Sequence, residues 1–321
     1  MRVLVYGGLG AVASERILRA LEKFGVEIGI VDIPSDVHCP YPYYRVGLEP
    51  VGEYNAAIVC TPNHTHRDIT IKALRLGLHV LCEKPIAHTL GDAREMVEVA
   101  CQHPYQIAMI SEHYTYKPVV RDIIQNWRTY SEQIGKLINI TACVLETGGV
   151  ERREWLMKKS KSGGGMAIDT GIHLITILGK MFGFNKIRVT KSILKRDKEA
   201  VMRIGGDCET FARIGLQIHS DPESARRRTS PQAERVGNFD VDIEVGKFMP
   251  FVRKNMVFYG ENGVIRKDLA PGSDEAYSAI LGEFFSAIEN KRAPYTTMED
   301  GYKALQIIDT AYKMGDGMEE I

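Results

Sequence analysis

Along the first hundred residues, short apolar runs alternate with stretches whose apolar residues recur every three or four positions. The runs at 3–6, 27–31, 56–60, 80–82 and 107–110 are rich in Val, Ile and Leu. Runs of this kind read as strands buried on both faces. Between them, residues 12–24 set Ile17, Leu18 and Leu21 at helical spacing before Gly25, and residues 66–76 end at Gly77. Thr89 with Asp92 three places on has the form of a capping box opening a helix over 92–101. Strand and helix in alternation predict βαβ units and a parallel sheet.

From about residue 136 the pattern changes. The segments 136–147, 186–193, 209–218 and 236–245 are longer, more polar and more β-branched. Ala212, Ile214, Leu216 and Ile218 put an apolar side chain at every second place, as in a sheet with one buried face. Asn262-Gly263, between 257–259 and 264–265, signals a two-residue hairpin turn, and helical stretches at 277–288 and 301–314 close the chain. The polar stretch 221–235, with Arg226, Arg227 and Arg228, reads as an exposed loop. The second half is expected to be an α+β domain with a large, mainly antiparallel open sheet.

Composition narrows the function classes. The 321 residues suit two domains, with 44% hydrophobic and 26% charged positions. Forty-one basic and 41 acidic residues cancel, so no net field favours nucleic acid or an anionic membrane. No apolar run reaches membrane-spanning length, and the opening run is too short for a signal peptide. Six cysteines without CxxC spacing, several within apolar runs, suggest reduced buried thiols and a cytoplasmic location.

The candidate chemistry begins at Gly8-Leu9-Gly10-Ala11, between the first strand and the first helix, with Ala13 three places after Gly10. A turn of this kind lets backbone N–H groups approach a pyrophosphate at a helix N-terminus. Gly8 is assigned the tight turn, Gly10 the close approach and Ala13 the close helix packing. Asp32 ends the second strand roughly twenty residues past Gly10, where a carboxylate grips ribose hydroxyls. No arginine adjoins it, so NAD is favoured over NADP, although Arg45 is a more distant base that would alter this by folding in. Residues 1–118 are therefore expected to form a dinucleotide-binding Rossmann domain, and 119–321 a substrate-binding and oligomerisation domain.

The stretch Cys82-Glu83-Lys84-Pro85 follows an apolar strand and places a lysine where open α/β sheets bind ligands. Proline holds Lys84 extended. Its ammonium would stabilise the alkoxide character that develops as hydride leaves carbon. Downstream, Asp169 and His173 lie four apart after Gly163-Gly164-Gly165, on a stripe formed by Ile168, Ile172, Ile175 and Leu178. On a helix they share one face. Histidine suits proton exchange near neutrality, and Asp169 would bind substrate oxygen, orient the imidazole, or both. A surface ion pair is the competing explanation. His64-x-His66 and His79-x-x-Cys82 have no second pair at zinc intervals, so no metal is expected.

Val59-Cys60-Thr61-Pro62-Asn63-x-x-His66, Glu83-Lys84-Pro85 and the glycine triplet with Asp169-x-x-x-His173 resemble the glucose–fructose oxidoreductase / myo-inositol dehydrogenase (Gfo/Idh/MocA) family. The resemblance is dense over 1–118 and 163–183. It implies hydride transfer between nicotinamide and a hydroxyl or carbonyl of a sugar, cyclitol or related polyol, in a homo-oligomer (dimer or tetramer). Lys84, Asp169 and His173 would be catalytic, with His173 as the acid/base. Thr61, Pro62, Asn63 and His66 would line the cofactor path, with Glu83 and Lys84 at its reactive end. His113, Tyr114 and Trp155 are pocket candidates, with core packing as the alternative. Thr115 stands where the family often has arginine, and 126–133 looks like extra chain. An NAD-binding sensor without turnover and an NAD-dependent glycosidase are the rival readings.

Overall fold

A computed structural model describes residues 1–33, 39–148, 153–203, 205–219, 237–315 and 318–320. The Arg226–Arg228 loop expected from the sequence lies outside them. The chain divides into two compact units. The first comprises Met1–His113, Ser160–Gly163 and Asp274–Tyr302, and the second Tyr114–Lys159, Gly164–Ser273 and Lys303–Ile321. The division thus falls a few residues before the expected position 118, and the segment Asp274–Tyr302 joins the first unit rather than the second. Among the described residues no helix is long and apolar enough to cross a membrane.

The first unit is built on a six-stranded sheet in the order β3-β2-β1-β4-β5-β6, with every pairing parallel. Its strands are β1 (Arg2–Tyr6), β2 (Glu27–Asp32), β3 (Tyr43–Arg45), β4 (Ala56–Val59), β5 (His79–Glu83) and β6 (Ala108–Ser111). Val3, Leu4 and Val5 are fully buried, as a strand covered on both faces requires. Strand order reverses at β1, which pairs with both β2 and β4. Open α/β sheets bind ligands at such a switch point.

Two details differ from the sequence expectation. The segment expected as one helix over 12–24 is a π turn (Ala13–Ile17), a short α-helix (Leu18–Leu21) and a 3-10 turn (Glu22–Phe24), closed by Gly25 at φ +61°. The short strand β3 has no counterpart among the strands read from the sequence, because its three residues are too few to show periodicity. The outer edge of β6 is bridged at Met109 by Thr297, and the Thr296 hydroxyl donates to Ile110 O at 2.7 Å. An edge so covered offers no template for foreign strands. The helix Ser273–Glu289 packs Phe285 edge-on against Phe24, with ring centroids 5.2 Å apart. The capping box forms as expected, with Thr89 Oγ1 accepting from Asp92 N–H at 3.1 Å.

The second unit is built on a seven-stranded sheet in the order β12-β11-β7-β10-β9-β8-β13. Its strands are β7 (Leu137–Leu145), β8 (Ile187–Arg196), β9 (Phe211–Ile218), β10 (Phe239–Gly246), β11 (Arg253–Gly260), β12 (Gly263–Asp268) and β13 (Met318–Glu320). Most neighbours are antiparallel; β7–β10 and β8–β13 are parallel. The alternation read from the sequence fixes the buried face: Ala212, Ile214, Leu216 and Ile218 stand opposite Val245, Ile243, Val241 and Phe239.

The hairpin between β11 and β12 turns through Glu261-Asn262, one residue earlier than the Asn262-Gly263 signal, because Gly260 pairs with Gly263. Close contact decides the register. A Cβ on Gly260 would lie 2.2 Å from Ile134 O, which itself accepts from Asn262 N–H at 2.8 Å. The stretch expected as extra chain is helical. Pro118–Gln125 and Trp127–Ile134 form two short helices, and the Trp127 ring meets Phe182 and Phe258 at centroid distances of 5.5 and 5.2 Å. Trp127→Ala should cost about 2 kcal/mol, less than the 3–5 typical of a fully buried aromatic because the side chain is half-buried. A urea midpoint shift without a change in slope would register this loss.

Candidate active site

In the first unit, β1 runs into a bend at Gly7 (φ +75°), whose N–H donates to Val31 O at 2.8 Å. Gly7, not Gly8, therefore supplies the left-handed residue of the tight turn. Gly8 is required for another reason: a Cβ there would stand 2.5 Å from Ile30 Cδ1. Gly10 donates to Gly7 O at 2.9 Å and accepts from Ser14 N–H, which brings the helix start directly after Leu9, Gly10 and Ala11. The Asp32 carboxylate takes Leu9 N–H on Oδ2 at 2.9 Å and Ile33 N–H on Oδ1 at 2.8 Å. It thereby ties the end of β2 to the glycine turn. Arg45 stands opposite Asp32 in the β2–β3 register. A bare glycine bend, a helix N-terminus and a carboxylate at the next strand end fit a dinucleotide.

The Thr61-Pro62-Asn63 segment leaves β4 and is pinned from behind. His66 is 1% exposed, with Nε2 2.8 Å from Thr61 O and Nδ1 2.9 Å from Pro85 O. Burial holds this imidazole below its usual range while both carbonyls oppose that shift. The ring joins the ends of β4 and β5, a structural task. Asn63 donates to Ser162 O at 2.8 Å.

At the end of β5, Glu83 is buried, accepting from Ser111 Oγ at 2.8 Å and from Lys84 N–H at 3.2 Å. Burial pushes its carboxyl up to about 7, against the Ser111 hydrogen bond and the Lys84 charge. Glu112, also buried, follows on β6. The Lys84–Pro85 peptide is cis. His113 stacks on the buried Tyr277 at 5.1 Å and 13°, and burial next to Glu83 and Cys60 raises the Tyr277 phenol.

In the second unit, Asp169 and His173 lie at 6% and 4% exposure, on a π turn (Ala167–Gly171) that passes into the helix Ile172–Phe182. The expected plain helix is thus widened under Asp169; π turns recur at functional sites. The entry to this turn is anchored. The buried Glu209 carboxylate accepts from Gly165 N–H at 3.0 Å, Ala167 N–H at 3.0 Å and Tyr312 Oη at 2.5 Å. A Cβ on Gly165 would fall 2.0 Å from Glu209 O, and one on Gly164 2.1 Å from Tyr312 Oη. The glycine triplet therefore exists for close packing.

His173 stacks on Tyr114, centroids 4.3 Å apart at 17°. The Asp169 carboxylate lies 3.7 Å from Lys247 Nζ, and that ammonium is also 3.4 Å from Glu146. Lys254 pairs with Glu146 from the neighbouring strand. Burial opposes charge on Glu146, but the two lysines hold its carboxyl below the usual range. Lys247 is only 5% exposed and precedes Phe248, a bulky residue at φ +61°. Such strain is tolerated where surroundings over-determine the backbone. Trp155 is half-buried on the short turn Glu154–Met157.

Sequence reading missed Lys247, Glu146 and Lys254. Each is one charge at the end of, or just inside, a strand pattern, and only the β7–β10–β11 register makes them neighbours. It also missed Glu209, whose one local sign is its place just ahead of the β9 alternation.

Glu83 generates a stability prediction. Its folded-state pKa lies above the unfolded value of 4.5, so between these values the native state binds more protons. Stability from this group therefore falls as pH rises from about 4.5 to about 7. Glu83→Gln should lose about 2–3 kcal/mol less than the parent between pH 5 and pH 8. Urea midpoints of the two proteins at both pH values check this.

Residues 8–110 match the family model described as "Oxidoreductase family, NAD-binding Rossmann fold" (Gfo/Idh/MocA). The chain is 26% identical over 274 residues to a 1,5-anhydro-D-fructose reductase of Ensifer adhaerens, covering 79% of this chain and 75% of that protein. Its fold is similar to that of a myo-inositol 2-dehydrogenase from Lactobacillus plantarum, with TM-score 0.78 and 19% identity over 98% of this chain and 97% of the other. A 3-ketoreductase from Actinomadura kijaniata, solved with NADP and TDP-benzene, aligns with TM-score 0.74 and 17% identity over 100% of this chain and 98% of that one. Sequence match in the nucleotide half and a relative spanning most of both halves agree with the glycine turn: residues 8–110 carry the NAD-binding Rossmann fold of the Gfo/Idh/MocA oxidoreductase family, and the chain as a whole is similar to proteins of that kind.

Proposed function

We propose that the protein is an NAD-dependent dehydrogenase or reductase acting on a hydroxyl or carbonyl of a sugar, cyclitol or related polyol. The observation that carries this reading is the second unit's buried acid–base set. A histidine stacked on tyrosine and an aspartate beside a buried lysine form an expensive arrangement that a purely structural helix does not need. The family and the sugar- and inositol-named relatives support the substrate class.

When bound, the nicotinamide supplies the hydride acceptor or donor. The chain's residues do the rest. The backbone around Gly8, Leu9, Gly10 and Ala11 receives the pyrophosphate, and Asp32 accepts from ribose hydroxyls. In the oxidative direction His173 accepts the substrate hydroxyl proton at an imidazole nitrogen. Asp169 accepts a hydrogen bond from a second hydroxyl, with the Lys247 ammonium beside it. Lys84 donates to the reacting oxygen and stabilises its developing negative charge. This assignment requires Lys84 and His173 to serve one nicotinamide. His113, Tyr114 and Trp155 remain proposed pocket residues, and assembly as a homo-oligomer rests on the family resemblance. All six cysteines are free thiols, in keeping with the proposed cytoplasmic location.

Absorbance at 340 nm, followed over sugars, inositols and their phosphates with NAD and NADP in parallel, tests the proposal. Lys84→Ala and His173→Ala should each lower kcat by at least about 100-fold while changing the NAD dissociation constant less than about threefold. Loss of NAD binding with turnover would overturn the assigned roles. Asp32→Ala, which removes the carboxylate that repels a 2′-phosphate and leaves Arg45 nearby, should raise the NADP-to-NAD ratio of kcat/KM by about 10–100-fold. Release of an aglycone without net NADH would move the reading to an NAD-dependent glycosidase, and nucleotide binding without turnover on any polyol to a sensor.

A further inference from the structure

Lys117 is among the largest fully buried side chains, at 1% exposure. It stands extended just before the helix Pro118–Gln125, with φ −60° and ψ 137°, as a residue preceding proline must. Its ammonium donates to two carbonyls past the end of β12, Leu269 O at 2.6 Å and Ala270 O at 3.3 Å. It also lies over the ring of Tyr114, 4.3 Å from the centroid. That ring is the one stacked on His173. A buried ammonium is costly, and two carbonyls with an aromatic face offset only part of the cost. Neither the sheet nor the helix needs it: a methionine would fill the same volume.

We propose that Lys117 is a positioning residue for His173, acting through the Tyr114 ring to fix the imidazole plane and keep that imidazole unprotonated and ready to accept. The inference rests on the reading of His173 as proton acceptor. Its physical basis is twofold. The face of Tyr114 attracts a cation, so the ring is drawn onto the ammonium and cannot swing away from His173. A like charge engaged with the same ring disfavours the imidazolium form. Burial holds the Lys117 ammonium itself at about 8, with Lys254 adding to the lowering and Asp268 and Glu146 opposing it. Within its own unit, the charged groups bearing on His173 include Lys117 through Tyr114, Asp169 one turn earlier on its own segment, and Lys247, Glu146 and Lys254 behind Asp169.

The test is an NMR pH titration of the full chain carrying isotope-labelled histidine, with the His173 signal identified by its loss in His173→Asn. In Lys117→Met the His173 midpoint should rise by about one pH unit. In Lys117→Arg, which keeps a permanent cation, it should stay at the parent value. The parent His173 signal should also show a second, smaller step near the Lys117 value of about 8, absent in Lys117→Arg. If Lys117→Met does not fold, this second step alone decides. An unmoved midpoint in Lys117→Met, or the same second step in Lys117→Arg, would overturn the proposal. Because the readout needs no turnover, a shifted titration in a protein inactive on every polyol would sink the oxidoreductase reading and leave this one standing.

Discussion

One buried carboxylate sets the position of the segment that carries Asp169 and His173. Glu209 receives the N–H groups of Gly165 and Ala167 and the hydroxyl of Tyr312, so three donors from two parts of the chain converge on it. Burial raises its carboxyl above the usual range, and the three donors work against that rise. A negative charge at the start of a helical segment is also favoured by the segment's own dipole. Because Glu209 lies two residues ahead of β9, the sheet and the π turn are joined at this point. The glycines at 164 and 165 follow from it, since the anchoring contact leaves no room for a Cβ. Asp169 and His173 then inherit their places from the segment.

Charge is concentrated where the chemistry is expected. Surface pairs such as Arg67 with Glu95 contribute little. The buried ones differ, because removing a partner leaves a charge uncompensated at a cost of about 3–5 kcal/mol. Lys247 between Asp169 and Glu146, with Lys254 behind, forms such a set at the ends of β7, β10 and β11. In the first unit Glu83 is the counterpart, buried at the end of β5 beside Ser111 and Lys84. In both units the polar groups gather at strand ends, where the backbone pairing stops and side chains can turn to a ligand.

The two units were legible to different degrees. In the first, the signals are local: an apolar run, a glycine bend, a capping threonine, a strand-end aspartate. Each involves residues a few positions apart, or one βα step away, so nearest-neighbour chemistry specifies it. The error there was small. The bend uses Gly7, while Gly8 is needed because Ile30 of the adjacent strand lies against it. Only strand pairing reveals that contact. In the second unit the hairpin moved by one residue because Ile134, far upstream, packs against Gly260.

The amino-acid order by itself determined the alternation of strand and helix, the glycine turn after the first strand, the strand-end carboxylate of Asp32 and the candidacy of Lys84, Asp169 and His173. These follow from periodicity, backbone freedom and intrinsic proton affinity, which are properties of a residue and its near neighbours. Tertiary structure alone decided what surrounds Asp169 and His173. Lys254 reaches Glu146 across 108 positions, and Lys117 reaches Leu269 across 152. Sheet register and burial create those meetings, and they change each group's chemistry by withdrawing water and choosing its partner, which no local pattern encodes.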